Sequence, residues 1–395
     1  MSPDDSRAPI ERVITRVFVV PTDAPESDGT LAWDSTTMVL VEVQAAGRTG
    51  IGYTYADGAA AELVTGMLAG VVEGCDALDT NAAWLAMLGR VRNLGQSGLA
   101  ATAISAVDNA LWDLKGKILG VSVADLIGRA RTSIPVYGSG GFTSYDDDRL
   151  TAQLGGWAVE GLHAVKMKVG RVPGADPHRM GVARAAIGAD LPLFVDANGA
   201  LSRKQALAFA ETSARFGATW FEEPVSSNDL EGMRLLRDRA PAGMAITSGE
   251  YAFALWTFRD MLAAGAVDVL QADATRCCGI TGFLKAAALA EAHEVPLSSH
   301  CAPSLHLHPC LCAPAAIHME WFHDHVRIEQ MLFDGAPQPE HGAVRINPEN
   351  TAGKDRAHGQ AQRQGRHRHG RGVGHRRGDG AAVRGRRGTC RLRRP

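Results

Sequence analysis

"GLHAVKMKVG", residues 161–170, places two lysines one residue apart inside an otherwise apolar run. Read as a strand, it turns Lys166 and Lys168 to one face and Val165, Met167 and Val169 to the other, because strand side chains alternate with a period of two. Seven more short apolar runs share its texture: "IPVYG", "LPLFVDA", "ATWFEEP", "MAITSGE", "VDVLQAD", "VPLSSH" and "IHMEW". Helical stretches separate them; one opens at Ser202, with a capping-box partner at Gln205, and stops near Gly217. Eight such alternations after about residue 133 predict a parallel (β/α)8 barrel rather than an open sheet.

An ionisable residue closes each of these strands after the first: Lys168, Asp196, Glu222, Glu250, Asp273, His300 and Glu320. The intervals are 28, 26, 28, 23, 27 and 20 residues, about one strand–helix unit each. All strand C-termini of a barrel open onto one face, so the seven side chains should converge. Asp196, Glu222 and Glu250 sit on successive strands, where three close carboxylates repel and each needs a raised pKa or a cation. A hard divalent ion with oxygen ligands, Mg²⁺, meets that need; the competing reading pairs each carboxylate with Arg or Lys as scaffold. Two neighbouring ammonium groups depress each other's proton affinity and can make one a base near neutral pH. The competing reading is a snorkelling surface pair. His300 follows Asp273 by one unit, so a carboxylate on the next strand would fix its tautomer and raise the basicity of its free nitrogen.

Ahead of the barrel, residues 12–55 read as strands ("RVITRVFVV", "TMVLVEVQ", "IGYTY"), with the polar stretch "PTDAPESDGTLAWDST" as a long loop. Residues 58–127 read as helical and end in "ATAISAVDNALWDLKGKILG", where Ile104, Val107, Ala110, Leu111 and Leu114 form one apolar stripe and Gly120 a C-cap. Strands followed by helices predict an α+β unit. The expected organisation is an α+β capping domain at 1–130, a modified TIM barrel at 131–350 and a basic low-complexity tail at 351–395.

The net charge of −2 conceals an asymmetry: residues 351–395 hold 14 Lys and Arg against 2 Asp and Glu, leaving 27 basic and 41 acidic residues before them. That tail, with 10 glycines, cannot bury a core and is expected to be disordered. Its abrupt onset, without aromatics among the arginines, favours a frameshift in a GC-rich gene over a nucleic-acid-binding arm. The seven cysteines show no CxxC or Cys/His finger spacing. With no apolar run long enough to span a bilayer and no secretory signal, a reduced cytoplasmic setting is expected.

"VKMKVG", "VDANG", "WFEEP", "SGE", "ADATRCCGITG", "SSH" and "HMEW", in that order, closely resemble the enolase superfamily, specifically its mandelate racemase subgroup, over about residues 10–350. The resemblance implies Mg²⁺ on Asp196, Glu222 and Glu250, with Lys168 as a base and Lys166 as its electrostatic neighbour. It also implies His300, oriented by Asp273, on the opposite substrate face; Glu320 hydrogen-bonded to the substrate carboxylate; and Asn198 beside the metal ligands. The shared chemistry is abstraction of the proton α to a carboxylate, giving a metal-stabilised enediolate. Reprotonation gives racemisation; loss of a β-hydroxyl gives a 2-keto-3-deoxy acid. The family selects substrates with capping loops, here offering Asp23, Glu26, Ser27, Asp28, Thr30 and Tyr53, which favours a polyhydroxy acid and dehydration. Homo-oligomers are common in the family.

Overall fold

A computed structural model of the chain describes residues 7–346. The basic segment 351–395, with its disorder, frameshift and nucleic-acid readings, lies outside the described residues. Three strands, β1 (Arg12–Ser27), β2 (Ala32–Ala45) and β3 (Arg48–Tyr55), form an antiparallel sheet in that order. Val39, Val41 and Val43 alternate inward from β2 onto Ile104, Val107, Leu111 and Leu114 of the helix Leu99–Leu119. That helix ends on Gly120 in the left-handed conformation, φ 69°, which glycine adopts without Cβ strain.

The stretch read as a long loop is instead mostly a paired ribbon. β1 and β2 continue through it with Pro21 opposite Ser35 and Ser27 opposite Ala32, interrupted by an irregularity between Pro21 and Glu26. Pairing is made by the backbone, so polar, proline-containing composition does not forbid it. Only residues 28–31 turn, and the Asp28 carboxylate accepts the Thr30 and Leu31 N–H groups at 2.6 Å each. The tip rests on the barrel: a Cβ on Gly29 would lie 2.3 Å from the Ala197 carbonyl oxygen and 2.8 Å from that of Val169.

The barrel strands are β4 (Ile134–Gly140), β5 (Ala164–Lys168), β6 (Leu193–Asp196), β7 (Ala218–Glu222), β8 (Ala245–Ser248), β9 (Val269–Ala272), β10 (Leu297–Ser299) and β11 (Ala316–Phe322). They pair in sequence order, and β11 pairs back onto β4 in parallel, closing the barrel. A short β12 (Ala343–Val344) adds antiparallel to β4. Tyr137, Ala164, Phe194, Trp220 and Val269 pack together inside, while Val165, Met167 and Val195 pack in the larger core outside. The helix Arg203–Ala214 starts at Ser202 with the expected capping box to Gln205. No helix among the described residues is long and apolar enough to cross a membrane.

The helix Leu99–Leu119 also holds the barrel. Its Ser105 Oγ, Asn109 Oδ1 and Asp108 Oδ2 accept the N–H groups of Gly279, Ile280 and Thr281 at 3.0, 3.0 and 2.9 Å. These are otherwise unpaired first-turn donors of the helix Gly279–Ala292, which follows β9. Burial pushes Asp108 up to about 7, against the lowering effect of its hydrogen bonds from Thr281. The folded state therefore binds the Asp108 proton more tightly than the unfolded chain. Its stabilising contribution is full below the ordinary value of 3.8 and is lost as pH rises through about 7. Urea midpoints should fall more between pH ~4 and ~7.5 for the wild type than for Asp108→Asn; parallel profiles would contradict this.

Candidate active site

The series of strand-end residues converges at the mouth of the barrel. Lys166 and Lys168 both point inward from β5 and are 0% and 5% exposed, which removes the surface-pair reading. Lys166 Nζ lies 2.6 Å from Glu222 Oε1, 2.8 Å from Glu320 Oε1 and 3.6 Å from Asp196 Oδ2. Lys168 Nζ lies 2.5 Å from Asp196 Oδ2. One ligand atom from each of Asp196, Glu222 and Glu250 falls within 4.8 Å of the others, and all three residues are buried. Gly249 makes this possible on the third strand: its φ is +139°, and a Cβ there would lie 2.0 Å from the Gln271 carbonyl oxygen.

The electrostatics correct one expectation. Burial lowers Lys168 and the Lys166 charge lowers it further, but Asp196, Glu250 and Glu222 together outweigh both and the net shift is upward. Lys166 also rises well above its ordinary value, because Glu222 and Glu320 overcome its burial. Carboxylates, rather than the neighbouring ammonium, therefore dominate both lysines. The acids divide: Asp196 is lowered, with Lys168 and Lys166 outweighing its burial, whereas burial and the charge of Asp196 push Glu222 up to about 8. Glu320 is held well below the usual carboxylate range as Lys166 and His300 overcome its burial. Its Oε2 accepts the Cys301 N–H at 2.7 Å.

On the far side, His300 Nδ1 and Asp273 Oδ2 are 2.8 Å apart, as their spacing predicts. Asp273 Oδ1 accepts the Thr275 N–H at 2.6 Å, so this carboxylate is fixed at both oxygens. Burial lowers His300, but Glu250, Glu320 and the Asp273 bond raise it overall. Its Nε2 lies 3.3 Å from Glu250 Oε2, an oxygen that accepts no hydrogen bond. The chain passes this point strained, with φ of 53° at Cys301 and 40° at Ala302.

The three residues assigned to substrate fare differently. Asn198, at φ 46°, donates its N–H to Asp196 Oδ1 at 2.9 Å and keeps a buried, unpartnered side-chain Oδ1. The Tyr53 hydroxyl donates to Glu329 Oε1 at 2.7 Å. Asp28 caps the hairpin turn through its Oδ1 alone. Sequence reading passed over Glu223, Arg276 and Cys301. Glu223 is the second acid of "FEEP"; burial and Glu250 drive it well above the usual range. Arg276 Nη1 lies 3.3 Å from Glu250 Oε1 and its Nε 3.6 Å from Asp273 Oδ2, bridging the metal-type cluster and the His–Asp pair. Only the tertiary fold shows that it faces both.

Residues 13–128 match the family model of the mandelate racemase/muconate lactonizing enzyme N-terminal domain, and residues 149–353 match that of the enolase C-terminal domain-like family. The chain belongs to the enolase superfamily, in its mandelate racemase branch. It is 34% identical to a 3,6-anhydro-alpha-L-galactonate cycloisomerase of Streptomyces coelicolor, over 85% of this chain and 96% of that protein. A mandelate racemase/muconate lactonizing enzyme-like protein from Rubrobacter xylanophilus has a similar structure, with a TM-score of 0.85 and 53% identity over 86% of this chain and 95% of that one. The L-talarate/galactarate dehydratase of Salmonella typhimurium, solved with Mg and L-lyxarohydroxamate, gives a TM-score of 0.80 at 27% identity over 88% and 90%. The sugar-acid dehydratases and cycloisomerases of this superfamily are thus homologues of the chain.

Lys166 neutralises two buried carboxylates at once. Removing one partner of such a buried group typically costs about 3–5 kcal/mol. Lys166→Met should lower folding stability at pH 7 by an amount in that range, read from denaturant midpoints; a change below ~0.5 kcal/mol would show that the ammonium does not hold the cluster.

Proposed function

We propose that this chain is a Mg²⁺-dependent dehydratase of a sugar acid, an aldonate or aldarate, acting by abstraction of the proton α to its carboxylate. The observation that carries the reading is the placement of two bases at opposite ends of one carboxylate cluster. Lys168 meets it at Asp196, and His300, backed by Asp273, meets it at Glu250. The cluster fits a hard divalent ion: its donors are all oxygens, they are mutually close, and Glu250 Oε2 is buried without a hydrogen bond. Asp196, Glu222 and Glu250 would hold Mg²⁺, which when bound supplies Lewis-acid stabilisation for negative charge developing on the substrate carboxylate.

The chain's own groups supply the proton transfers. Lys168 stays protonated while it pairs with Asp196; once Asp196 is committed to a cation, the nearby Lys166 charge favours the neutral amine. Lys168 then takes the α-proton, and the electron pair left on the α-carbon expels the β-hydroxyl. His300, as imidazolium, donates to that leaving group, so water departs and the resulting enol tautomerises to a 2-keto-3-deoxy acid. Lys166 and Glu320 keep their mutual pair at the floor of the site, where Lys166 is the cation available to a substrate carboxylate.

A racemase or epimerase reading uses the same two bases, with His300 returning a proton to carbon. Sugar-acid chemistry in the named relatives supports elimination from a polyhydroxy acid. A panel of aldonic and aldaric acids with Mg²⁺ should yield a 2-keto-3-deoxy product from at least one member, and Lys168→Ala should slow that turnover about 10²–10⁴-fold. Solvent deuterium entering the α-position without any keto product would instead support racemisation. Full activity in Lys168→Ala would remove the lysine from the chemistry.

A further inference from the structure

A second cluster lies where the capping hairpin meets the end of β11. Asp23 and Glu26 of β1 and His323, which opens the helix His323–Leu332, bring one ligand atom each within 4.8 Å of one another. Each carboxylate has one oxygen held by a protein donor. Arg149 Nη2 donates to Asp23 Oδ1 at 2.9 Å, leaving Oδ2 at 3.1 Å from His323 Nε2. Trp33 Nε1 donates to Glu26 Oε2 at 2.8 Å, leaving Oε1 buried and without any partner, in a residue only 1% exposed. Hydrogen bonds that orient one oxygen of a carboxylate while the other faces a shared point are the usual outer support of metal ligands.

The surrounding charges sharpen the case. The carboxylates here are Asp23, Glu26 and Asp324, and the cations are Arg149 and Arg327. Arg149 pairs with Asp23 and Arg327 with Asp324, at 2.9 and 2.6 Å. Glu26 has no ion pair among the described residues, and its Oε1 is buried without a hydrogen bond. A buried carboxylate left in that condition lacks a cation.

We propose that Asp23, Glu26 and His323 form a second divalent-cation site, separate from the three-carboxylate cluster and suited to a metal that takes imidazole with carboxylate, of the Mn²⁺ or Zn²⁺ class. Imidazole among the donors disfavours Mg²⁺. Two ligands come from the hairpin and the third from the barrel, so the ion clips the hairpin onto the barrel mouth. The site goes beyond the dehydratase reading and stands or falls without it.

The test is a count of bound Mn²⁺ per full-length chain by electron paramagnetic resonance. Wild type and Glu26→Gln/His323→Gln are compared in the same buffer, with Asp196→Asn alongside to report the three-carboxylate cluster separately. The expected result is one fewer Mn²⁺ in the double variant than in wild type, so ions held elsewhere cancel. Equal counts would overturn the proposal, whatever Asp196→Asn does. If the double variant does not fold, as judged by circular dichroism, His323→Gln alone must show the same loss of one ion, and an unchanged count there would be equally decisive.

Discussion

Lys166 is the point on which the barrel mouth depends. Its ammonium is fully buried, within 2.8 Å of carboxylates on two strands, β7 and β11, and 3.6 Å from a third on β6. A lone charge in that place would be strongly destabilising, and so would the acids without it. The four groups are tolerable only together, which fixes the relative positions of strands far apart in sequence. Lys168 repeats the arrangement with Asp196 one layer higher on β5. Even so, Asp196, Glu222, Glu223 and Glu250 outnumber Lys166, Lys168 and Arg276, and burial together with the neighbouring acids raises Glu222 and Glu223. A divalent cation is the simplest partner for that excess.

The capping domain holds the barrel mouth by direct contact. The helix Leu99–Leu119 seals the start of the helix after β9 through Ser105, Asp108 and Asn109, and Asn109 Nδ2 also donates to the Ala274 carbonyl at 3.1 Å. That holds the segment following Asp273, which in turn orients His300. The hairpin tip lies over the ends of β5 and β6, where Gly29 permits the close approach. Asp28 and Tyr53 serve this docking, the first by shaping the turn and the second by anchoring to Glu329.

Much of this was legible in the sequence because periodicity carries it. Eight apolar runs, the last seven closed by ionisable residues at intervals of 20–28 positions, map directly onto β4–β11 and bring Asp196, Glu222 and Glu250 together. What was not legible depends on partners remote in the chain. The hairpin looked like a loop because backbone pairing leaves no trace in polar composition. The partners of Asp28 Oδ1 and of the Tyr53 hydroxyl, Leu31 N–H and Glu329, are invisible until the fold is known. The protonation of the two lysines could not be inferred from their own spacing, since the deciding charges stand on other strands.

The requirement for a cation is most directly measured by calorimetric titration of the full-length chain with Mg²⁺ at pH 7. If the surplus of carboxylates at the barrel mouth is a metal site, wild type binds one Mg²⁺ per chain there and Asp196→Asn loses that binding. Absence of Mg²⁺ binding by folded wild type, or undiminished binding by Asp196→Asn, would contradict it.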